Sequence, residues 1–246
     1  MGTHTAIDTT FDVQRDTPAG RDPDAASPTL KRYHRLLWDK LLPTGDRFSL
    51  VDTERGSYLH HRSARGEYWM TSDAVIPTFR GWSRFGLPEI LREIPVEQID
   101  AFETLSYTIG GMLLFPSWTG ARHWSINQAR GMLTKISDRM DLTLECIRRH
   151  YAGVESPMSM TLDHYGDFFA LFGDLEQYAK FFLLDDLLQG DGSEVRFFLP
   201  FDHFTRPTAT PVGVDEYEAY MAASIEFVRA RNTRIEAWIA NKSGHG

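Results

Sequence analysis

The chain has 246 residues, 42% of them hydrophobic and 24% charged, an ordinary globular composition that needs no staple to bury a core. Its net charge of −8 disfavours duplex nucleic acid binding through a broad basic face, although a local Arg cluster can still grip a phosphate. The single cysteine, Cys146, excludes an intramolecular disulfide and a thiolate zinc site. No apolar run nears the ~20 residues of a membrane span, the start lacks signal-peptide features, and the expected compartment is the cytoplasm.

Residues 1–26, rich in Asp, Thr, Pro and Gly, read as a largely disordered N-terminal arm with Phe11 and Val13 as anchors. A single globular domain is expected over 27–240, with a flexible tail over 241–246. Ser27 N-caps its first helix, Pro28 suits the first helical position, and Leu30, Tyr33, Leu37 and Leu41 recur at helical spacing. Residues 47–52, 57–62 and 67–71, parted by Gly56 and Gly66, read as an antiparallel meander. Residues 73–91 are helical or irregular, broken by Pro77 and Pro88. Residues 105–115 read as a strand apolar on both faces, with Gly110 and Gly111 marking a bulge or a close approach.

A long helix is then expected over 125–151. Ser125 and Gln128 form a capping-box pattern, and Ile126, Ala129, Leu133, Ile136, Met140, Leu144, Ile147 and Tyr151 make one apolar stripe. Helices over 161–172 and 174–188 carry dense aromatics and read as buried. A strand over 195–199 and a last helix from Asp215 to about Ala240 follow. The class is α+β, mostly helical, with a small antiparallel sheet packed on a helical core.

Phosphate-binding glycine loops, paired-His zinc motifs, calcium loops and nucleophile elbows are absent from the sequence. Cys146, without a flanking motif, reads as a small core residue. The one constellation lies on the expected long helix. At 100° per residue, Asn127, Arg130, Thr134, Ser137, Asp138, Asp141, Glu145 and Arg148 share roughly a third of the circumference. Three readings stand side by side: a solvated face with local ion pairs, a polar stripe lining a cleft, and a buried structural Arg–Asp network.

In the cleft reading, Asp141 and Glu145 serve as acid/base groups with His123 assisting, and Asn127, Arg130, Arg148 and Arg231 bind substrate. A magnesium reading of Asp138, Asp141 and Glu145 needs a second element, such as Asp163, Asp167, Asp185 or Asp186. No metal or cofactor is assigned. His164 and Asp167, at i, i+3 spacing, suit a base and its orienter. The resulting expectation is an enzyme or sensor for a phosphate-bearing small molecule or nucleotide. The alternative is a non-catalytic interaction factor, motivated by the aromatics and the acidic N-terminus.

The stretches Phe11-Asp12-Val13, Asp22-Pro23-Asp24, Ser27 to Leu30, Tyr33-His34, Leu37-Trp38, Asp138 to Tyr151 and Phe198 to Asp202 together resemble a family of uncharacterised proteins of actinobacteria and their phages. The resemblance spans nearly the whole chain and implies one domain. It implies no activity and transfers no catalytic residue.

Overall fold

The computed structural model describes residues 6–52, 58–117 and 124–243. The N-terminal part is built from short capped turns. Asp12 caps a 3-10 turn over Val13–Asp16, and Asp22 caps helix α1 (Pro23–Ala26), which opens on Pro23. Helix α2 (Pro28–Trp38) begins at Ser27, whose hydroxyl accepts the Leu30 N–H at 3.0 Å. Such caps satisfy amides that a helix end leaves unpaired. Residues 6–26, expected within a disordered arm, instead lie on the body. Val13 is fully buried, and its N–H donates to Tyr107 O at 3.1 Å. The same Asp- and Pro-rich composition that suits disorder also supplies these caps.

Strands β1 (Lys40–Leu41) and β2 (Arg47–Phe48) form a small hairpin. Strands β3 (Val51–Asp52), β4 (Leu59–Ser63), β5 (Gly66–Ala74) and β6 (Met112–Ser117) form an antiparallel sheet in chain order. Tyr68 and Met70 on β5 point into the core while Glu67 and Trp69 do not, the period-2 alternation of a half-buried strand. Between β5 and β6 lie helices α3 (Leu87–Glu93) and α4 (Val96–Ser106).

The strand expected over 105–115 begins only at Met112. Ser106 still belongs to α4, and Ile109–Gly111 is a 3-10 turn. The close approach marked by the two glycines is real. A Cβ on Gly110 would lie 2.1 Å from Asn232 Oδ1, and one on Gly111 2.2 Å from Ser106 O.

The long helix expected over 125–151 is two helices, α5 (Ile126–Met132) and α6 (Met140–Tyr151). Its capping box is present: Ser125 Oγ accepts the Gln128 N–H and Gln128 Oε1 accepts the Ser125 N–H. The break falls where Gly131, Thr134, Ser137 and Asp138 crowd together, all poor helix-interior residues. Ser137 and Asp138 take positive φ of 48° and 63°, which turns the chain back on itself.

Helices α7 (Ser159–His164), α8 (Gly166–Phe169) and α9 (Leu175–Phe181) replace the two longer helices expected there. Their aromatics are core, as expected. Phe172 alone has the rings of Phe168, Tyr178, Phe181 and Phe182 at 5.0–5.4 Å, contacts worth roughly 0.5–1.5 kcal/mol each beyond burial. Strands β7 (Leu188–Gln189) and β8 (Glu194–Val195) pair, so the strand expected over 195–199 is only a stub. Helix α10 (Val214–Ser243) closes the chain. The class is α+β and mostly helical, with small antiparallel sheets. No described helix is long and apolar enough to cross a membrane.

Candidate functional site

Four residues at the end of β5 form the spine of the site. Strand β4 pairs with β5 only as far as Met70, while β6 follows it to Ala74. The Ser72 N–H is therefore taken by Asp24 Oδ2 at 2.6 Å, and the Ser72 hydroxyl by Asp24 Oδ1 at 2.5 Å. From α5, Asn127 donates to Thr71 Oγ1 and Ser72 O at 3.3 and 3.2 Å. One turn later Arg130 donates to Asp73 Oδ2 at 3.1 Å and Ala74 O at 3.0 Å. The i, i+3 spacing puts Asn127 and Arg130 on one face of α5, against one strand.

Arg130 also shapes the turn that follows its own helix. Its carbonyl accepts the Asp138 N–H at 2.9 Å, and its Nη2 donates to Asp138 O at 2.7 Å. Its Nε donates to Thr143 Oγ1 on α6. The guanidinium is fully buried and spends four of its five N–H donors inside the protein, a structural placement rather than the expected contact with a phosphate.

The turn carries the Asp138 carboxyl to the same guanidinium that holds Asp73, at 3.3 and 3.1 Å, near enough for the two carboxyls to share a proton. Burial pushes Asp138 up to about 7, with Arg130 opposing and Asp73 reinforcing the rise. Burial also raises Asp73, against the pull of Arg130. Two carboxylates in contact cannot both ionise freely, so the pair holds one proton over the range where isolated carboxyls are bare. Burial, then the nearby Asp22 and Asp73 charges, push Asp24 up to about 8 against its Ser72 hydrogen bonds. Near neutral pH, Asp24 therefore keeps its proton, the pair shares another, and Arg130 balances the charge left over.

The pair is not sealed. The side chains of Asp73 and Asp138 keep 30% and 22% of their surface exposed. Two oxygens here lack a hydrogen-bond partner among the described residues: Asp138 Oδ1, which faces Arg130 Nη2 at 3.3 Å without a hydrogen bond, and Asn127 Oδ1. Both atoms are buried, so the solvent-exposed part of the pair lies on its other atoms.

The other sequence candidates go elsewhere. Asp141 is fully buried, held by Arg139 at 2.5 Å and by the Phe198 N–H at 2.9 Å, so it fixes α6 rather than meeting substrate. Glu145 takes Arg148 at 2.7 Å and Arg149 at 2.8 Å. Burial pushes its carboxyl up, but the two guanidiniums outweigh burial and hold it below its ordinary range. Glu145 and Arg148 do line a common cavity of about 260 Å³, with Arg149, His203 and the stacked rings of Phe197 and Phe201. Arg231 is fully buried and donates to three carbonyls, those of Gly110, Met112 and Phe182. It does not reach the acids of α6 or a substrate.

Asp138, Asp141 and Glu145, which the magnesium reading grouped, each face different arginines. The described residues hold no group of three or more His, Cys, Asp and Glu fit for a metal. His123 lies outside the described residues. His164 and Asp167 are both exposed. Cys146 is buried and its thiol is pushed up to about 12 by burial, as suits a core residue.

Asp24, Ser72 and Asp73 were missed from the sequence. One signal was there: Asp is depleted in strands, and Asp73 sits near a strand end beside another small polar residue.

A family model matches residues 7–235, that of a family of unknown function (DUF6994). No curated protein and no solved structure matches the chain.

Proposed function

For this chain, which belongs to that family of unknown function, we propose an enzyme whose acid–base pair is Asp138 and Asp73, positioned by Arg130. The observation that carries this reading is the pair of carboxyls on one arginine, partly open to solvent, with one member raised to about 7. Asp138 holds the proton and acts as general acid. Asp73, anchored by Arg130, acts as base. Asn127 holds β5 in place beside the pair through Thr71 and Ser72.

The geometry narrows the chemistry. Carboxyls in direct contact leave no room for the ~5 Å or more that separates the two acids of glycoside hydrolases. The pair suits addition of water to a carbonyl, or proton transfer beside one. With Asp24 protonated and Arg130 offsetting the single charge left on the pair, the site is close to neutral near pH 7, which suits a substrate group without a full charge.

A phosphate-bearing molecule or nucleotide finds its support at the second cavity instead. There Arg148 and Arg149 stand beside Phe197 and Phe201, whose rings stack at 4.2 Å, a surface suited to an aromatic base. The interaction-factor reading loses its main motive, because the aromatics from Tyr165 to Phe182 are buried.

The test is untargeted mass spectrometry of a mixed small-metabolite pool, comparing the wild-type protein with Asp138→Asn and Asp73→Asn. A compound consumed by the wild type should be consumed about 10²–10⁴-fold more slowly by either variant. Equal consumption by all three folded proteins, or none by the wild type, defeats the proposal. Thermal stabilisation by a nucleotide that survives Asp138→Asn and vanishes in Arg148→Ala moves the function to the second cavity.

A further inference from the structure

Lys40 is the one lysine of the described chain that lines a large cavity while enclosed by aromatic rings. It lies just past Asp39, the C-cap of α2, and opens β1. Its Nζ donates to Phe181 O and stands 4.4 Å from the centre of the Phe181 ring, 5.0 Å from Trp38 and 5.4 Å from Trp238. The cavity, about 520 Å³, lies between β1, α9 and the last turns of α10, a size ordinary for small-molecule sites. One wall is apolar, from Leu42, Phe181 and Trp238. The other carries Lys180, Asp185 and Arg234.

The rings attract an ammonium but do not replace the water that burial removes. Burial, then the Arg231 charge, pushes the Lys40 amine down to about 7; Asp185 opposes this and Lys242 adds to it slightly. Lys180 and Arg234 line the cavity against Asp185, Arg234 is also held by Asp186 at 2.9 Å, and the Arg231 and Lys242 charges act on Lys40 as well. With Lys40 neutral, the charge left over is positive.

We propose that Lys40 is a reactive amine and that this cavity binds a small carbonyl compound, preferably one bearing a carboxylate, which Lys40 captures as an imine. The Nζ lone pair adds to the carbonyl carbon. The carbinolamine takes up one proton from solvent and loses its hydroxyl as water, leaving a protonated C=N bond. Aldehydes and 2-oxo acids are the compounds whose carbonyl carbon accepts such an attack. The carboxylate preference follows from the positive excess at the cavity wall. This site is separate from the Asp73–Asp138 pair and does not rest on it.

Reductive trapping tests the assignment on the intact protein. Glyoxylate or propionaldehyde is added at pH 7 with sodium cyanoborohydride, which delivers hydride to the imine carbon and fixes the label. Peptide mass spectrometry then reads each lysine over time. Lys40 should be labelled at least about tenfold faster than the exposed Lys135, because burial in the cavity wall favours the neutral, nucleophilic form of its amine. Labelling of Lys40 at or below the rate of Lys135 overturns the proposal. Saturation of Lys40 by glyoxylate at lower concentration than by propionaldehyde supports the carboxylate preference, and equal saturation overturns that part.

Discussion

Asp24 accepts two hydrogen bonds from Ser72, yet burial pushes its carboxyl up to about 8. In the unfolded chain the same group titrates near ~3.9. Between those values the folded protein holds a proton that the unfolded chain has released. Stability therefore falls as pH rises through that window and levels off above it. Asp138, raised to about 7, acts with the same sign. Buried His34 and Lys40, which are pushed down, titrate with the opposite sign, so the check is a difference: between pH 5 and pH 9 the melting temperature of Asp24→Asn should fall less, or rise more, than that of the wild type. The asparagine carbonyl still accepts the Ser72 N–H, while its amide carries no charge to desolvate. Parallel melting curves for the two proteins across that range would place the titration elsewhere. The same raised acid makes Asp138 a proton donor near neutrality, so stability and proposed chemistry depend on one physical cause.

The turn between α5 and α6 is the element that creates the pair, and its backbone offers a direct check. Asp138 sits at φ 63°, where a Cβ costs roughly 1–2 kcal/mol that glycine avoids. Asp138→Gly should therefore be more stable than Asp138→Ala, by up to about 1 kcal/mol once the greater chain freedom of unfolded glycine is subtracted. In a continuous helix the order reverses, with glycine worse by about 1 kcal/mol. Urea denaturation of the two variants decides between the geometries. This contrast also shows how far the sequence is legible. The caps at Ser27 and Ser125, the β4–β5 hairpin and the apolar positions Ile126, Ala129 and Ile136 follow from local rules, and the structure places them so, whereas the strand expected over 47–52 divides between two sheets. The break does not follow, because the stripe from Ile126 to Tyr151 fits helical spacing whether or not the chain turns back midway. Nor does periodicity distinguish a polar arc in water from one where Arg130 is buried among carboxyls. The pairing of Asp73 with Asp138 joins distant parts of the chain, and a one-chain pattern holds no such information.

Across the whole molecule, α10 locks the far side of the same sheet. Arg231 gives Nη1 to Gly110 O and Met112 O, both at 2.8 Å, and Nη2 to Phe182 O at 3.1 Å. One side chain thus joins the last helix, the glycine turn, the first residue of β6 and the segment after α9. Gly110 permits this, since a side chain there would meet Asn232 and the Val228 carbonyl. The desolvation is large enough to push the guanidinium down to about 9. Two effects therefore compete when Arg231 becomes Met. Removing a buried charge relieves desolvation, and such replacements can be neutral or stabilising. Against that, three buried carbonyls lose their donor, each worth roughly 1–3 kcal/mol when left unsatisfied. Because the three acceptors come from separate segments, no small shift repairs them together, and the second effect should win by about 2–4 kcal/mol in urea denaturation. Arg231→Lys should recover only part of this, since an ammonium on a flexible stem cannot reproduce the planar fork. A Met variant as stable as the wild type would mean that apolar packing alone holds α10. If the clamp is real, its loss should travel further. Met112 pairs with Ala74, and Leu113 with Asp73, so amide hydrogen exchange at Asp73 and Ala74 should quicken in Arg231→Met.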